Sequence, residues 1–491
     1  MMSMQKKAIN SEDTGNLQIV QRLAAVLLLG YLALVVLFYF LAGEQLHLRE
    51  SRGDLPLPAA ENGTVELIAG SVVEQTFTAE IQRLEQIDVQ WGTYYRTNAG
   101  TVLLELVDLR DGNVLLSGTF DAADITEGGL TTLTAEEPME RLYKVPLLLR
   151  ITSPDCQPGS AASPLMNTQD MLEDGTLTLN GVPLEGMLCF AARGTDYIWT
   201  GLHYWEFAAV GAVLLLAGLG VIWLRLRQGK RSYVVNAVVA VQKYRFLIRQ
   251  LVSRDFKTKY KRSVLGMFWS FLNPLLTMFV QYFVFSTIFK SDIPNYPAYL
   301  LIGIVTFNFF TEATGMALSS IVGNAGLITK VYMPKYIYPL TRVMSSVVNL
   351  GISLIPLVLV SLATGIQFKK SALLSLFFLC CVIIFSLGVG LLLSAAMVFF
   401  RDTQFLWGVL SMIWMYITPI FYPESILPEN FKFILRINPM YHFLKNTRLC
   451  IMDGLSPEPA VYMQCALMAL GALVVGALVF RKSQDRFVLY L

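Results

Sequence analysis

Glu312 closes the run Phe307-Asn308-Phe309-Phe310-Thr311-Glu312, a carboxylate inside an otherwise apolar stretch. An ionised acid at membrane depth is costly unless it faces protein or water, so this one lines a polar path or pairs with a neighbouring helix. Tyr282, Phe283, Phe307, Phe309, Phe310 and Tyr338 offer ring faces that can line a channel and stack on a ligand with flat apolar faces. Aromatic rings in apolar spans equally serve as packing or as anchors at the membrane surface. Nucleotide chemistry is excluded on the P-loop pattern: Gly229-Lys230 is followed by Arg231 and preceded by no glycine at the required spacing, so the backbone cradle for phosphates is missing. The 6 cysteines show no paired metal-ligand spacing, and His47, His203 and His442 are scattered, so no metal centre is expected. Cys156 and Cys189 share one polar segment, where a disulfide and two free thiols are both open.

Positioning such groups falls to a chain built for a bilayer. Of its 491 residues, 54% are hydrophobic and 15% charged, with a mean hydropathy of +0.53, too apolar for a soluble globular protein. The net charge of +2 hides an asymmetry: basic residues crowd 225–262 and 481–486, while 44–196 is rich in Asp and Glu. Lys and Arg beside a span favour the cytoplasm, so the asymmetry orients the chain. The basic cluster abuts apolar stretches, where anionic lipid headgroups are the nearer partner, and nucleic acid is not implied.

Residues 1–17 read as a cytoplasmic tail and 18–42 as a first span. That span reads as an uncleaved anchor, because its apolar core exceeds the about 7–15 residues of a signal peptide. Residues 43–202 then lie outside and read as a β-sandwich. Asp111-Gly112 and Asn180-Gly181 are tight-turn pairs between short strand-like runs, while the Pro, Ser and Gly of 153–174 predict a surface loop. A second span covers 203–224, and 225–262 forms a basic linker and amphipathic helix. The remainder, 263–491, carries six further crossings, including one from Phe405 to Tyr422, with a cytoplasmic loop at 323–339 and an outer, proline-punctuated segment at 423–459. The expected fold is a polytopic α-helical membrane protein of about eight transmembrane helices, with an external β-sandwich domain between the first two and both termini cytoplasmic.

The joint between these halves is the run from Lys243 to Lys290. Tyr244, Leu247, Ile248, Leu251, Val252 and Phe256 recur on one helix face, while Lys243, Arg245, Arg249, Arg254, Lys257 and Lys261 fall largely elsewhere. Such a helix lies along a membrane surface, apolar face down. No charge occurs from Leu265 to Phe289, so the next span begins near Gly266. In the loop at 323–339, Leu327, Ile328, Val331, Tyr332 and Met333, with Lys330 and Lys335, either enter a groove on a partner or rest on the membrane.

Arg254-Asp255, then Lys259-Tyr260, then Ser263-Val264-Leu265-Gly266 with Trp269 and Asn273-Pro274, resembles the N-terminal signature of the permease subunits of ABC-2 type polysaccharide exporters. That group contains the O-antigen, capsule and teichoic-acid exporters, and the resemblance runs from Lys243 to the C-terminus. It implies a transport subunit rather than an enzyme, in a bacterial cytoplasmic membrane, working as a homodimer on a lipid-linked polysaccharide. ATP and Mg would be bound by a separate ABC ATPase in two copies, with no cofactor in this chain. It also implies an interface helix carrying Arg249, Arg254, Asp255, Lys257 and Tyr260, and a coupling loop, 323–339, that presses on the ATPase. The segment 423–459, with Phe421 and Tyr422 before it and Asn438 and Pro439 within it, is similar to the re-entrant outer helices that gate the exit in that family. The N-terminal span and β-sandwich depart from the simplest family pattern and can receive or select the emerging polymer. Two other readings remain open: export of a small amphiphile or drug, and a membrane receptor whose external domain senses a ligand.

Overall fold

Long uncharged runs have no choice in a bilayer but to close their backbone hydrogen bonds within a helix, and the polar 47–202 stretch, free of that constraint, folds as sheet. The computed structural model describes residues 2–490 apart from 52, 169–171, 173, 229–232, 262, 289–292 and 329–332. It divides into two units, one of residues 1–46 with 203–491 and one of residues 47–202.

The principal helices of the first unit are α1 (Met2–Ala42), α2 (Tyr204–Arg227), α3 (Tyr233–Lys243), α4 (Arg245–Tyr260), α5 (Phe268–Tyr282) and α6 (Tyr296–Leu318). They continue with α7 (Ile337–Ala363), α8 (Ser375–Phe399), α9 (Thr403–Ile417), α10 (Glu429–Ile437), α11 (Pro439–Arg448) and α12 (Pro459–Ser483). Among the described residues, 7 stretches are long and apolar enough to cross a membrane: Ala24–Leu46, Tyr204–Arg225, Phe268–Ser286, Tyr296–Leu318, Ile337–Ala363, Lys370–Phe399 and Pro459–Tyr490. The crossing expected from Phe405 to Tyr422 is different. Helix α9 has 15 residues and spans roughly 22 Å, short of the hydrocarbon core. Its end is set by Pro419, which disfavours helical backbone at Thr418; Thr418 is extended, with φ −81° and ψ 128°.

Helix α6 is the interior strut: 72% of its apolar window is buried within the unit, against 0% for the spans containing α1 and α2, whose side chains are left for lipid. The amphipathic run breaks at Tyr244, and the apolar face of α4 does not lie on open membrane. Ile248 packs in a cluster with Ile321, Met333, Ile337, Tyr338, Leu391, Ala395, Val398, Phe480 and Phe487, and Tyr244, Leu247 and Val252 rest against it. Helices α8 and α12 approach at a small-residue seam. A Cβ on Gly476 would stand 2.0 Å from the Gly388 carbonyl oxygen, and one on Gly388 would stand 2.4 Å from the Ala472 carbonyl carbon. Close backbone approach of this kind is how helices gain packing energy in lipid.

The second unit is a sandwich of antiparallel sheets with one core. In one sheet Leu48–Glu50, Phe190–Tyr197, Arg83–Gly92, Ser163–Asn167 and Met187–Leu188 lie in that order, with Asn62–Gly63 and Leu130–Glu140 added at Ser163–Asn167 and Arg83–Gly92. The other runs Val182–Leu184, Leu177–Leu179, Val72–Ala79, Val145–Thr152, Thr101–Asp108, Val114–Asp121. Val72–Ala79 buries every second residue, as a strand with one covered face must. Phe77 and Phe190, from opposite sheets, meet at 4.9 Å, and the buried Trp91 donates its indole N–H to Thr131 Oγ1 at 2.7 Å. Asn180 (φ 49°) and Gly181 (φ 79°) turn Leu177 back onto Leu184, the left-handed pair a two-residue hairpin requires. The expected surface loop at 153–174 instead contains the strand Ser163–Asn167, whose Ser163 and Asn167 are buried. Pairing of Pro164 with Trp91 fixes that strand; its polar residues conceal it from any hydrophobic alternation. Cys156 and Cys189 are separate free thiols, both buried, and burial pushes the Cys189 thiol up to about 11.

The α8–α12 seam gives a sharp expectation. Gly476→Val forces side-chain atoms into the Gly388 backbone and should lower the stability of the purified chain by about 1–3 kcal/mol or more, read as thermal unfolding in detergent. Gly471→Ala, at a position with nothing within 4 Å, should be neutral or stabilising.

Candidate functional site

Two polar clusters lie along α6, one toward each end: the first is partly open, the second buried. The first is a cleft of about 410 Å³ between α4, α5, α6 and α7. Its walls carry two rings, Trp269 and Phe309, three amides, Asn273, Asn308 and Asn349, and the hydroxyls of Tyr260, Ser270, Ser346 and Ser353. Glu312 and Lys259 form its charged edge. Glu312 Oε1 accepts from Lys259 Nζ at 2.9 Å and from Asn349 Nδ2 at 2.6 Å. Tyr260 donates to Asn349 Oδ1 at 3.1 Å and also meets Ser270 Oγ, while Ser353 donates to the Ser270 carbonyl at 3.2 Å. One network therefore ties the last turn of α4 to the first turn of α5 and to the facing sides of α6 and α7.

The second cluster centres on Arg448, which no motif or periodicity in the chain singles out. Its guanidinium is buried and faces backbone: Nη1 donates to the Pro419 carbonyl at 2.7 Å, and Nη2 to the carbonyls of Ile420 at 2.9 Å and Tyr299 at 3.1 Å. The Tyr299 ring lies 3.4 Å beneath it, a cation–π contact strengthened by the loss of water. Room for it comes from Gly303, where a Cβ would stand 2.9 Å from Arg448 Nη2. Tyr296 donates to the Phe421 carbonyl at 2.6 Å and Tyr299 to that of Tyr422 at 2.8 Å. The non-helical stretch 418–422 is thus satisfied by side chains of α6 and α11, as irregular backbone at membrane depth must be. Nothing in the spacing of Tyr296, Tyr299 and Arg448 along the chain announces their meeting.

The residues singled out from sequence fall into distinct settings. On α4, Arg249 and Lys257 are exposed, whereas Asp255 is buried. Arg254 Nη2 bonds Asp255 Oδ1 at 3.0 Å, and Arg342 Nη1 faces the other oxygen at 3.2 Å as an ion pair without hydrogen-bond geometry. Tyr260 belongs to the cleft. In the loop at 323–339, Leu327 and Ile328 pack with Met333 against the cluster under α4, and Lys335 Nζ donates to the Gln484 carbonyl at 2.6 Å; Lys330, Val331 and Tyr332 lie outside the described residues. Of the aromatic candidates, Phe309 lines the cleft. Phe307 and Phe310 are core residues, the latter wedged against Phe385, Trp407 and Trp414, and Tyr338 is buried under α4. Tyr282 and Phe283 are exposed. Phe421 is buried and stacks on Phe285 at 5.5 Å, and Tyr422 donates to the Tyr416 carbonyl at 2.6 Å. Asn438 caps α11 through the Met440 amide, with Pro439 as its first residue, and accepts from Trp414 Nε1 at 2.7 Å.

The cleft holds no nucleophile and base in partnership. What it offers is ring faces beside amides and hydroxyls, with an ammonium and a carboxylate at the edge, which is chemistry for binding a polar ligand with apolar faces. Asn349→Leu removes a partner from both Glu312 and Tyr260 and should destabilise the unit by about 1–3 kcal/mol, measured by thermal unfolding. Arg448→Ala removes charged donors from the carbonyls of Tyr299, Pro419 and Ile420 and should cost about 3 kcal/mol or more, and hydrogen exchange at 418–422 should rise with it.

Residues 247–452, which contain both clusters, match the ABC-2 type transporter family. An O-antigen export system permease protein of Myxococcus xanthus is 27% identical over 263 residues, 52% of this chain and 98% of that protein. A second, from Klebsiella pneumoniae, is 31% identical over 244 residues, 49% of this chain and 93% of the relative. A polysialic acid transport protein of Escherichia coli is 23% identical over 246 residues, 48% of this chain and 93% of its own length. Near-complete coverage of such relatives by one half of the sequence, together with the apolar spans that carry the match, makes this chain a member of the ABC-2 type transporter family of membrane permeases.

Proposed function

We propose that this chain is the membrane-spanning subunit of an ATP-driven exporter that moves a lipid-linked polysaccharide outward across the bacterial cytoplasmic membrane. The observation that carries the reading is the cleft at the foot of α4. In a unit built largely of apolar spans, it gathers ring faces, amides and hydroxyls, the groups that match the apolar faces and hydroxyl rims of sugars. Lys259 at its edge suits the phosphate of a lipid carrier. The related O-antigen and polysialic acid proteins support the substrate class.

In this reading two copies of the chain frame the path, and two copies of a separate ABC ATPase bind ATP and Mg and hydrolyse it. The basic ends of α2 (Arg225, Arg227) and α12 (Arg481, Lys482) argue that both termini are cytoplasmic and that residues 47–202 lie outside. Helix α4 and the 323–339 loop then face the ATPase, with Arg249 and Lys257 directed at it or at anionic lipid. Closure of the ATPase moves α4, and the Tyr260–Asn349–Glu312 network carries that movement to α6 and α7. The stretch 418–422 and α11, held by Arg448, form the outer gate.

Reconstitution with an ABC ATPase that co-purifies with the chain from native membranes tests the assignment. Lipid-linked polymer should stimulate ATP hydrolysis, and failure of any ATPase to assemble with the chain would sink the reading. Arg249→Glu with Lys257→Glu should insert normally while export of polymer falls about tenfold or more, as expected when two contact charges change sign. Equal loss of insertion would reduce α4 to a topology signal.

A further inference from the structure

Tyr94 and Tyr95 in the sandwich unit both have left-handed backbone, with φ 56° and 55°. Bulky side chains rarely adopt this conformation, and these are the only adjacent non-glycine residues to do so among the described ones. Such an outlier persists only when its surroundings impose it, and here they do. Glu127 Oε2 accepts from Thr93 N at 2.6 Å, Thr93 Oγ1 at 2.8 Å and Tyr95 N at 3.2 Å. On the other side Arg96 binds Glu66, donates to Asn98 Oδ1 at 3.0 Å and lies over the Tyr94 ring at 4.9 Å. The buried Trp91 and Asn98 anchor both ends of the loop.

The result of this bracing is exposure. Tyr95 is 91% exposed and Tyr94 50%, so the loop holds a ring away from the core, against the preference of both backbone and side chain. A loop shaped only for packing would do the reverse. The same loop carries hydrogen-bonding groups: Glu127 is held at the Tyr95 amide, and Arg96, the next residue, pairs with Glu66. A flat, exposed ring face on a loop that also carries hydrogen-bonding groups fits a pyranose, which has a C–H face and a rim of hydroxyls; a protein surface would call for a wider apolar patch than one ring. We infer that Tyr95, braced by Tyr94 and Arg96, is a stacking platform for a sugar ring of the exported polysaccharide. The identity of the polymer rests on the export reading above; the platform rests on the loop itself.

The test uses the full-length chain in detergent and, as probe, the surface polysaccharide of cells carrying the native transporter, cleaved from its lipid. The intact chain should bind it, and Tyr95→Phe, which keeps the face, should bind within about twofold. Tyr95→Asn keeps tolerance of left-handed backbone but removes the ring, and should weaken binding about tenfold. Tyr95→Gly should likewise lose binding while melting at an unchanged or higher temperature, since glycine takes this conformation freely. Binding by Tyr95→Asn equal to that of the intact chain overturns the platform. So does a chain that exports the polymer in cells yet does not bind it through this unit, which leaves the export reading standing. Export of some other cargo, with no export of this polysaccharide, overturns the export reading instead.

Discussion

Within a bilayer a polar group must find its partners in the protein, and this unit meets that demand along one helix. Helix α6 holds Glu312 toward one end and opens space with Gly303 for Arg448 toward the other, the two positions separated by roughly 14 Å of helix rise. Each group is held by a different set of elements. Lys259 and Asn349, from α4 and α7, take Glu312; backbone carbonyls of α6 and of the 418–422 stretch take Arg448. The strut therefore fixes both a cleft and a piece of irregular backbone, and neither can be rearranged without leaving charge or carbonyls unpaired.

The cleft end is joined to the amphipathic helix in two ways. Polar contacts run through Lys259 and Tyr260 at the last turn of α4. Apolar contacts run through Ile248 and its neighbours to Ile321, Tyr338, Phe480 and Phe487, residues that begin or end three other elements. Close-packed interfaces shift between discrete arrangements rather than deforming smoothly, so in the proposed cycle a force on α4 would reach the start of α7 and the turn after α6 together. In the proposed exporter this would make α4 a coupling helix, with its packed face and the cleft joined by the same few turns of chain.

Much of this architecture was legible in the sequence, for reasons that can be named. Charge-free runs such as Leu265 to Phe289 announce spans through hydropathy, and Asn180-Gly181 announces its hairpin because few pairs accept two left-handed residues. Glu312 stood out as an acid in an apolar run, and the structure supplies its partners. What stayed hidden depends on contacts between distant segments. Ser163–Asn167 forms a strand because Trp91 pairs with Pro164, a fact absent from its own composition. Pro419 shortens α9, an effect that outweighs the hydropathy of Phe405 to Tyr422. Phe307 and Phe310 are indistinguishable in sequence from Phe309, yet only Phe309 reaches the cleft, because a helix apolar on nearly every face gives no face-specific pattern. Arg448 was invisible for the same reason: its partners are carbonyls, which every residue has.

The central claim is that the cleft beneath α4 is where the chain meets its cargo, and it can be read directly by placing a photoreactive side chain at Asn273, on the cleft wall, in a transporter at work. Illumination during ATP-driven export should attach polysaccharide to the chain, with an adduct that disappears when ATP hydrolysis is blocked before polymer enters. Adducts to lipid or protein alone, while polymer continues to cross, would contradict the account.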